Sequence, residues 1–193
     1  MARLVIGLGT GRCGTVTLTQ ILGHQQGVRA SHESWSPVPW EGEQDHWAGR
    51  ISEKVREVSE SILAEVAFYW LPYTRTLLEA DSTTKAIVLK RPKDEVVASY
   101  LRKIGPDRNH WTQDGRNPDD VWNQSYPDYD CGKEEGIARY WDDYYAECET
   151  LAAEFSGRLA LINTSDLNDS NQREIRILDP NKLQQLTDLA RII

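Results

Sequence analysis

Leu4-Val5-Ile6-Gly7-Leu8-Gly9-Thr10-Gly11-Arg12-Cys13-Gly14-Thr15 is the stretch on which the reading of this chain turns. Ala2–Leu8 is a short apolar run ended by glycines, the pattern of a buried strand. Thr15–Gly23 follows as a helix closed by Gly23. Between them lie three glycines and an arginine. Glycines let the backbone turn tightly and point successive N–H groups at one anion. The start of the helix adds a partial positive charge. Arg12 supplies a full charge with a fork geometry suited to phosphate or sulfate oxygens. Thr15 and Thr17 can donate hydroxyls from the first turn.

Three readings of this loop compete. A Walker A loop needs G-x-x-x-x-G-K-[ST]. Here Gly7 and Gly11 are one residue too close, and Arg12 stands where the lysine would be. A dinucleotide fingerprint, G-x-G-x-x-G, is met by Gly9, Gly11 and Gly14, with Glu33 about 20 residues on. A tight strand-to-helix turn with no ligand is the third.

Outward from the loop, strands and helices alternate. Gly27–Ser31 reads as a second strand, and Trp35–Trp47, rich in Pro, Trp and acid, as an irregular surface loop. Ile51, Val55, Val58 and Ile62 predict a helix over Ile51–Ala64. Glu65–Phe68 reads as a third strand and Leu71–Ala80 as a helix with Pro72 in its first turn. Lys85–Leu89 is a buried strand, followed by a helix over Lys93–Lys103. Ile104–Lys133 has no periodicity, and a loop of that length is usually functional or mobile. Glu134–Phe155 is the clearest helix, with Ile137, Trp141, Tyr144, Cys148, Leu151 and Phe155 on one face. Arg158–Ile162 reads as a last strand and Asn181–Ile192 as a last helix. The whole predicts one α/β domain over residues 1–193, with a central parallel sheet of about four to five strands and helices on both faces.

Composition narrows the function. The chain has 193 residues, and its formal net charge is −8. An acidic surface repels nucleic acid, so any anionic ligand needs positive charge gathered locally. No apolar run approaches a membrane span, and the five-residue run before the loop is too short for a signal peptide. A cytoplasmic location is expected. Three cysteines without a C-x-x-C pair indicate neither a disulfide framework nor a zinc site, and no metal is expected.

The local positive charge lies in Ile87-Val88-Leu89-Lys90-Arg91-Pro92-Lys93-Asp94-Glu95-Val96-Val97-Ala98-Ser99-Tyr100. Arg91 ends a strand, and Ser99 falls two turns into the next helix. Lys90, Lys93, Arg102 and Lys103 lie nearby. The two motifs together resemble the sulfotransferase family over roughly Leu4–Lys103, which implies a P-loop NTPase-like fold. In that family a loop of the form [KR]-[ST]-G-T-[ST] holds the 5′-phosphosulfate of 3′-phosphoadenosine 5′-phosphosulfate, the co-substrate. Arg12-Cys13-Gly14-Thr15-Val16 is similar to it, and Gly9, Thr10 and Gly11 lead into it. A strand-end arginine and a helix serine eight residues on hold the 3′-phosphate, which implies those roles for Arg91 and Ser99. Arg158–Leu167 is similar to the family's late strand more weakly. Cys13 and Val16 depart from the usual hydroxyl residues. The C-terminal glycine-rich clamp of the cytosolic branch is absent, since no glycine follows Gly157; Arg173 or Arg176 is a conceivable substitute.

The resemblance implies in-line transfer of a sulfuryl group to a hydroxyl or amine, with Arg12 stabilising charge on the leaving phosphate. A general base is expected just past the second strand, where His32 and Glu33 stand, with Glu65 an outside candidate. Neighbours on an extended chain point opposite ways, so one of the pair is expected to face the acceptor. Trp35, Trp40, Trp47, Trp111, Trp122 and Tyr126 either shape a small-molecule or carbohydrate acceptor site or anchor their loops to the core. Lipid, phenol and peptide acceptors fit the same reading. A Rossmann-type oxidoreductase and a non-catalytic nucleotide-binding protein are the competing functions.

Overall fold

Five strands lie parallel in one sheet, and the inner ones are mostly apolar in their buried interiors, Glu65 of the third strand excepted, because helices cover both faces. The computed structural model describes residues 2–35, 37–105, 108–113 and 116–164. In chain order the elements are β1 (Arg3–Leu8), α1 (Thr15–Gly23), β2 (Val28–His32), α2 (Gln44–Glu57), β3 (Ile62–Val66), α3 (Leu71–Ala80), β4 (Lys85–Lys90), α4 (Lys93–Ile104), α5 (Lys133–Glu154) and β5 (Leu159–Asn163). The strand order is β2-β3-β1-β4-β5. Side chains alternate between the faces. Val5, Ala64, Val66, Ile87 and Leu89 pack with Leu18 and Leu22 of α1 on one face. Leu4, Ile6, Leu8, Leu63, Ala86 and Val88 pack with residues of α2 to α5 on the other.

Two sequence expectations need correction. The helix expected over Ile51–Ala64 is α2, at Gln44–Glu57, and Ile62–Ala64 belong to β3. Apolar spacing carried the expectation past the true end: Val58 is the extended residue that closes α2 (φ −82°, ψ 141°), and Ser59-Glu60-Ser61 separates it from the strand. At its other end α2 takes in Gln44–Trp47, because Ala48, Ile51 and Val55 together form its buried stripe. The strand expected over Glu65–Phe68 stops at Val66, and Phe68–Trp70 form one 3-10 turn that leads into α3. The helix expected over Asn181–Ile192 lies outside the described residues.

The segment after α4 contains a 3-10 turn at Val121–Ser125 and an isolated bridge between Thr112 and Tyr129. Its rings anchor it. Trp111 is fully buried and meets Tyr100 edge-on at 4.9 Å. Tyr126 stacks on Phe68 at 4.4 Å and on His110 at 5.1 Å. Trp40 rests on Tyr140, Trp35 on Trp70 and Trp47 on Tyr73.

α5 buries a broader stripe than its spacing suggests. Ile137, Tyr140, Tyr144, Tyr145, Cys148 and Leu151 are buried, while Trp141 and Phe155 are half-buried. Two tyrosines on this helix make opposite predictions. The Tyr144 hydroxyl accepts the Gly9 N–H at 3.0 Å and donates to the Phe68 carbonyl at 3.1 Å. The buried Tyr140 hydroxyl has no partner among the described residues. Tyr144→Phe should therefore cost about 1–3 kcal/mol, and Tyr140→Phe should be neutral or stabilising by about 1 kcal/mol. Urea denaturation of both variants measures the contrast.

Candidate functional site

β1 lies between β3 and β4, so the chain winds to one side of β1 and then to the other. At such a switch point the loops after neighbouring strands diverge and leave a crevice beyond the strand ends. The loop Gly9–Gly14 emerges there. It takes positive φ at Gly9 (153°), Gly11 (80°), Arg12 (57°) and Gly14 (95°). A Cβ on Gly11 would sit 2.3 Å from the Tyr100 hydroxyl, so this backbone admits only glycine.

The underside of the loop is held by side chains from the far face of the sheet. Besides the Tyr144 bond to Gly9, the Tyr100 hydroxyl donates to the Thr10 carbonyl. Tyr145 donates to the Leu89 carbonyl at 2.6 Å, and the Trp141 indole N–H to the Arg91 carbonyl at 2.9 Å. Burial pushes the Tyr100 and Tyr144 phenols well above their ordinary range, so they remain neutral donors. The Thr10 hydroxyl turns back to the Gly11 carbonyl at 3.2 Å. Cys13 is 1% exposed and points into the cluster around Leu18 and Leu22. Burial pushes its thiol up to about 11. Thr10 and Cys13 thus offer backbone rather than side chains to a ligand. Val16 is 54% exposed on the first turn of α1. Gly14 precedes α1, and no side chain caps the helix. Its first N–H groups therefore lack a side-chain acceptor.

The second motif meets the first. Arg12 Nε donates to Ser99 Oγ at 3.2 Å. Arg91 Nη1 donates to the Arg12 carbonyl at 2.8 Å, and Arg91 Nε to Glu95 at 2.8 Å. Ser99 is thus held by Arg12, not by Arg91. The terminal nitrogens of Arg12 have no acceptor among the described residues. Lys90 is paired with Glu149 at 2.7 Å and Lys93 with Asp142 at 2.5 Å. Arg91 is likewise paired with Glu95, so Arg12 is the cation of the loop without an acidic partner among the described residues.

At the end of β2, His32 Nε2 meets Thr15 Oγ1 at 2.9 Å, which ties this strand to the first residue of α1. The chain does not stay extended past His32. Glu33 has φ 46°, and its N–H donates to the Val66 carbonyl at 3.0 Å. The left-handed turn brings Glu33 Oε1 within 3.8 Å of His32 Nε2. The two candidate bases are therefore side by side, contrary to the expectation from an extended chain. Burial raises the proton affinity of Glu33, partly opposed by the His32 charge. Glu65 is 1% exposed and accepts the Ser31 hydroxyl at 2.8 Å and the Ser34 hydroxyl at 3.1 Å.

Sequence reasoning did not single out Tyr100, Tyr144, Tyr145 or Trp141 at the site. Each sits on a helix face that reads as ordinary core, and only the hydroxyl or indole N–H distinguishes it from a packing ring. No group of three or more His, Cys, Asp or Glu side chains able to hold a metal occurs among the described residues, and no helix among them is long and apolar enough to cross a membrane.

No family model matches the chain, and no curated protein matches it in sequence. Solved structures do match its fold. A sulfotransferase domain from the curacin biosynthetic pathway covers all of this chain over 75% of its own length, with TM-score 0.64 and 12% identity. A sulfotransferase from Alicyclobacillus acidocaldarius covers all of it over 93% of its own length, with TM-score 0.53 and 14% identity. The Deinococcus radiodurans tunicamycin resistance protein covers 98% of it over 96% of its own length, with TM-score 0.50 and 13% identity. Its parallel five-stranded sheet with helices on both faces is a P-loop-like α/β fold, and the chain has the fold of sulfotransferases.

Proposed function

We propose that this chain is a cytoplasmic sulfotransferase that uses 3′-phosphoadenosine 5′-phosphosulfate and delivers to a hydroxyl or amine of a small-molecule or carbohydrate acceptor. One observation carries the reading: Arg12, Ser99 and Arg91 converge at the uncapped start of α1, in a chain whose net charge is −8. A nucleotide with two separate, multiply charged anionic groups matches two guanidinium groups and a helix N-terminus better than a dinucleotide does. Strand order favours the same choice. A dinucleotide fold has the order 3-2-1-4-5-6, with the second strand beside the first, whereas here β3 separates β1 from β2.

When bound, the donor supplies the sulfuryl group and adenosine 3′,5′-bisphosphate as the leaving group. The residues of the chain position and stabilise. Amides at the start of α1, from Gly14 to Val16, and the guanidinium of Arg12 serve the 5′ side, where negative charge grows as the bond to sulfur breaks; the Gly11 N–H is taken by the Gly9 carbonyl at 2.7 Å. Arg12 stays protonated throughout, so its contribution is electrostatic. Arg91 and Ser99 serve the 3′-phosphate. Glu33 is the general base. His32 Nε2 is engaged by Thr15, whereas Glu33 Oε2 has no partner among the described residues, and burial has already raised the affinity of Glu33 for a proton. The three cysteines are free, as in a reducing compartment.

Two tests follow. Calorimetry should show binding of adenosine 3′,5′-bisphosphate. Arg91→Ala should weaken it roughly 10- to 100-fold, as expected for one charge-assisted contact, with adenosine 5′-phosphate nearly unaffected. No binding at millimolar ligand, or equal losses for both nucleotides, overturns the assignment.

Glu33→Gln should lower kcat by about 10²- to 10⁴-fold and leave nucleotide affinity intact. Because the base must be ionised, the wild-type rate should rise with pH through a midpoint above the ordinary glutamate value of about 4.3. Stability runs the other way. A raised carboxylate favours the folded state below its unfolded pKa and loses that contribution as pH rises through the folded one. Glu33→Gln should therefore gain stability relative to wild type at pH 8 but not at pH 4, as read by thermal unfolding.

A further inference from the structure

β3 carries a carboxylate where its neighbours are apolar. Glu65 pairs in register with Ser31 of β2 and Ile6 of β1, in the interior of the sheet. It is 1% exposed. An ionised group buried this far needs partners. Among the described residues Glu65 forms no ion pair with Lys, Arg or His, and its partners are two hydroxyls. Ser31 Oγ donates to Oε1 at 2.8 Å, and Ser34 Oγ donates to Oε2 at 3.1 Å and to Oε1 at 3.4 Å.

Ser31 and Ser34 bracket His32 and Glu33. The carboxylate therefore grips the turn on both sides of the candidate base. The turn needs such a grip. Glu33 holds φ 46°, a region that costs a residue with a side chain roughly 1–3 kcal/mol and persists only where the surroundings impose it. Its one backbone tie is the N–H bond to the Val66 carbonyl, on the residue after Glu65. If the segment relaxed to an extended strand, His32 and Glu33 would point to opposite faces. The short approach between them would be lost.

We infer that Glu65 is a positioning residue: through Ser31 and Ser34 it imposes the left-handed turn that sets the Glu33 carboxylate beside His32. It touches neither donor nor acceptor. Its effect on rate rests on the sulfuryl-transfer reading above, whereas its effect on the turn does not.

Glu65→Gln keeps the volume and one acceptor but removes the charge, while Ser34→Ala removes one arm of the grip from the surface and leaves the buried group in place. Amide exchange and His32 ring resonances, followed by NMR on the ligand-free full chain, report the turn. Both variants should speed exchange of the Glu33 amide by roughly 10-fold or more and shift the His32 ring signals. In the transfer assay Glu65→Gln should lower kcat roughly 10- to 100-fold, the scale expected for a displaced catalytic group. Affinity for adenosine 3′,5′-bisphosphate should be unchanged, and in a Glu33→Gln background the same substitution should have almost no further effect on kcat.

An unchanged Glu33 amide and unchanged His32 signals in both variants would overturn the inference. So would an equal loss of kcat with and without Glu33, which is the result expected of a role confined to holding β2 on the sheet. If the wild type transfers no sulfuryl group, that reading fails, and the NMR measurement still decides the role of Glu65. If Glu65→Gln does not fold, Ser34→Ala carries the same comparison.

Discussion

A loop that turns its amides toward an anion must find other partners for the polar groups it turns away. Backbone donors and acceptors left unpaired in a dry interior cost about as much as the bonds they lack. Here the partners come from α4 and α5. Tyr144 takes the Gly9 N–H, and Tyr100 serves the Thr10 carbonyl. Tyr145 and Trp141 fix the carbonyls of Leu89 and Arg91 at the end of β4. The arrangement explains why a helix so rich in tyrosine lies against this end of the sheet, since leucines would fill the same space and leave those groups unpaired. It also explains the packing of the segment after α4, because Trp111 and Tyr126 close over Tyr100 and keep water from competing for its hydroxyl.

The same support concentrates charge in an acidic molecule. Lys90 and Lys93 are neutralised by acids of α5. Arg12 stands exposed on a left-handed residue that its neighbours impose, and its bond to Ser99 limits the arc through which the guanidinium can swing. Arg91 grips the carbonyl of Arg12, so the two cations are mechanically joined despite their repulsion. In water two guanidinium groups would separate. They stay near one another because Arg91 is tied both to that carbonyl and to the Glu95 carboxylate, which offsets part of its charge. In the proposed function, the phosphate groups of the nucleotide relieve the repulsion that remains.

How much of this was legible in the sequence depends on which interaction each residue serves. Lys85–Lys90 reads as a strand because burial on both faces makes it apolar throughout, and the glycines of the loop announce positive φ because few other residues tolerate it. Spacing alone places Ile62 in the wrong element, because apolar residues every three or four positions continue by chance from α2 across a serine-rich break. Its place in the motif offers Cys13 as a ligand contact, but a single loop torsion decides whether its side chain faces out or in. Trp111 and its companions left open whether they line a site or anchor a loop, and the ring contacts now show them packed against core aromatics. Along the chain Glu65 reads only as an outside candidate for the base, because its partners Ser31 and Ser34 lie 34 and 31 residues away.

Glu33 shows how topology changes the meaning of a residue without changing its position. Read along the chain, an acid about 20 residues after a glycine fingerprint suggests the ribose contact of a dinucleotide site. That contact requires the second strand to lie beside the first. With β3 between them, the end of β2 is displaced by two strand spacings, about 10 Å, from β1. The site recovers contact by another route. α1 packs across β2 and β3, and its first residue, Thr15, reaches His32 at 2.9 Å. Glu33, folded back by its left-handed turn, comes to His32 rather than to β1. The acid is therefore linked to the start of α1 through His32, which meets Thr15. In the proposed reaction it is the base for a group that approaches the 5′ end of the nucleotide. Its position does not suit an acceptor of ribose hydroxyls.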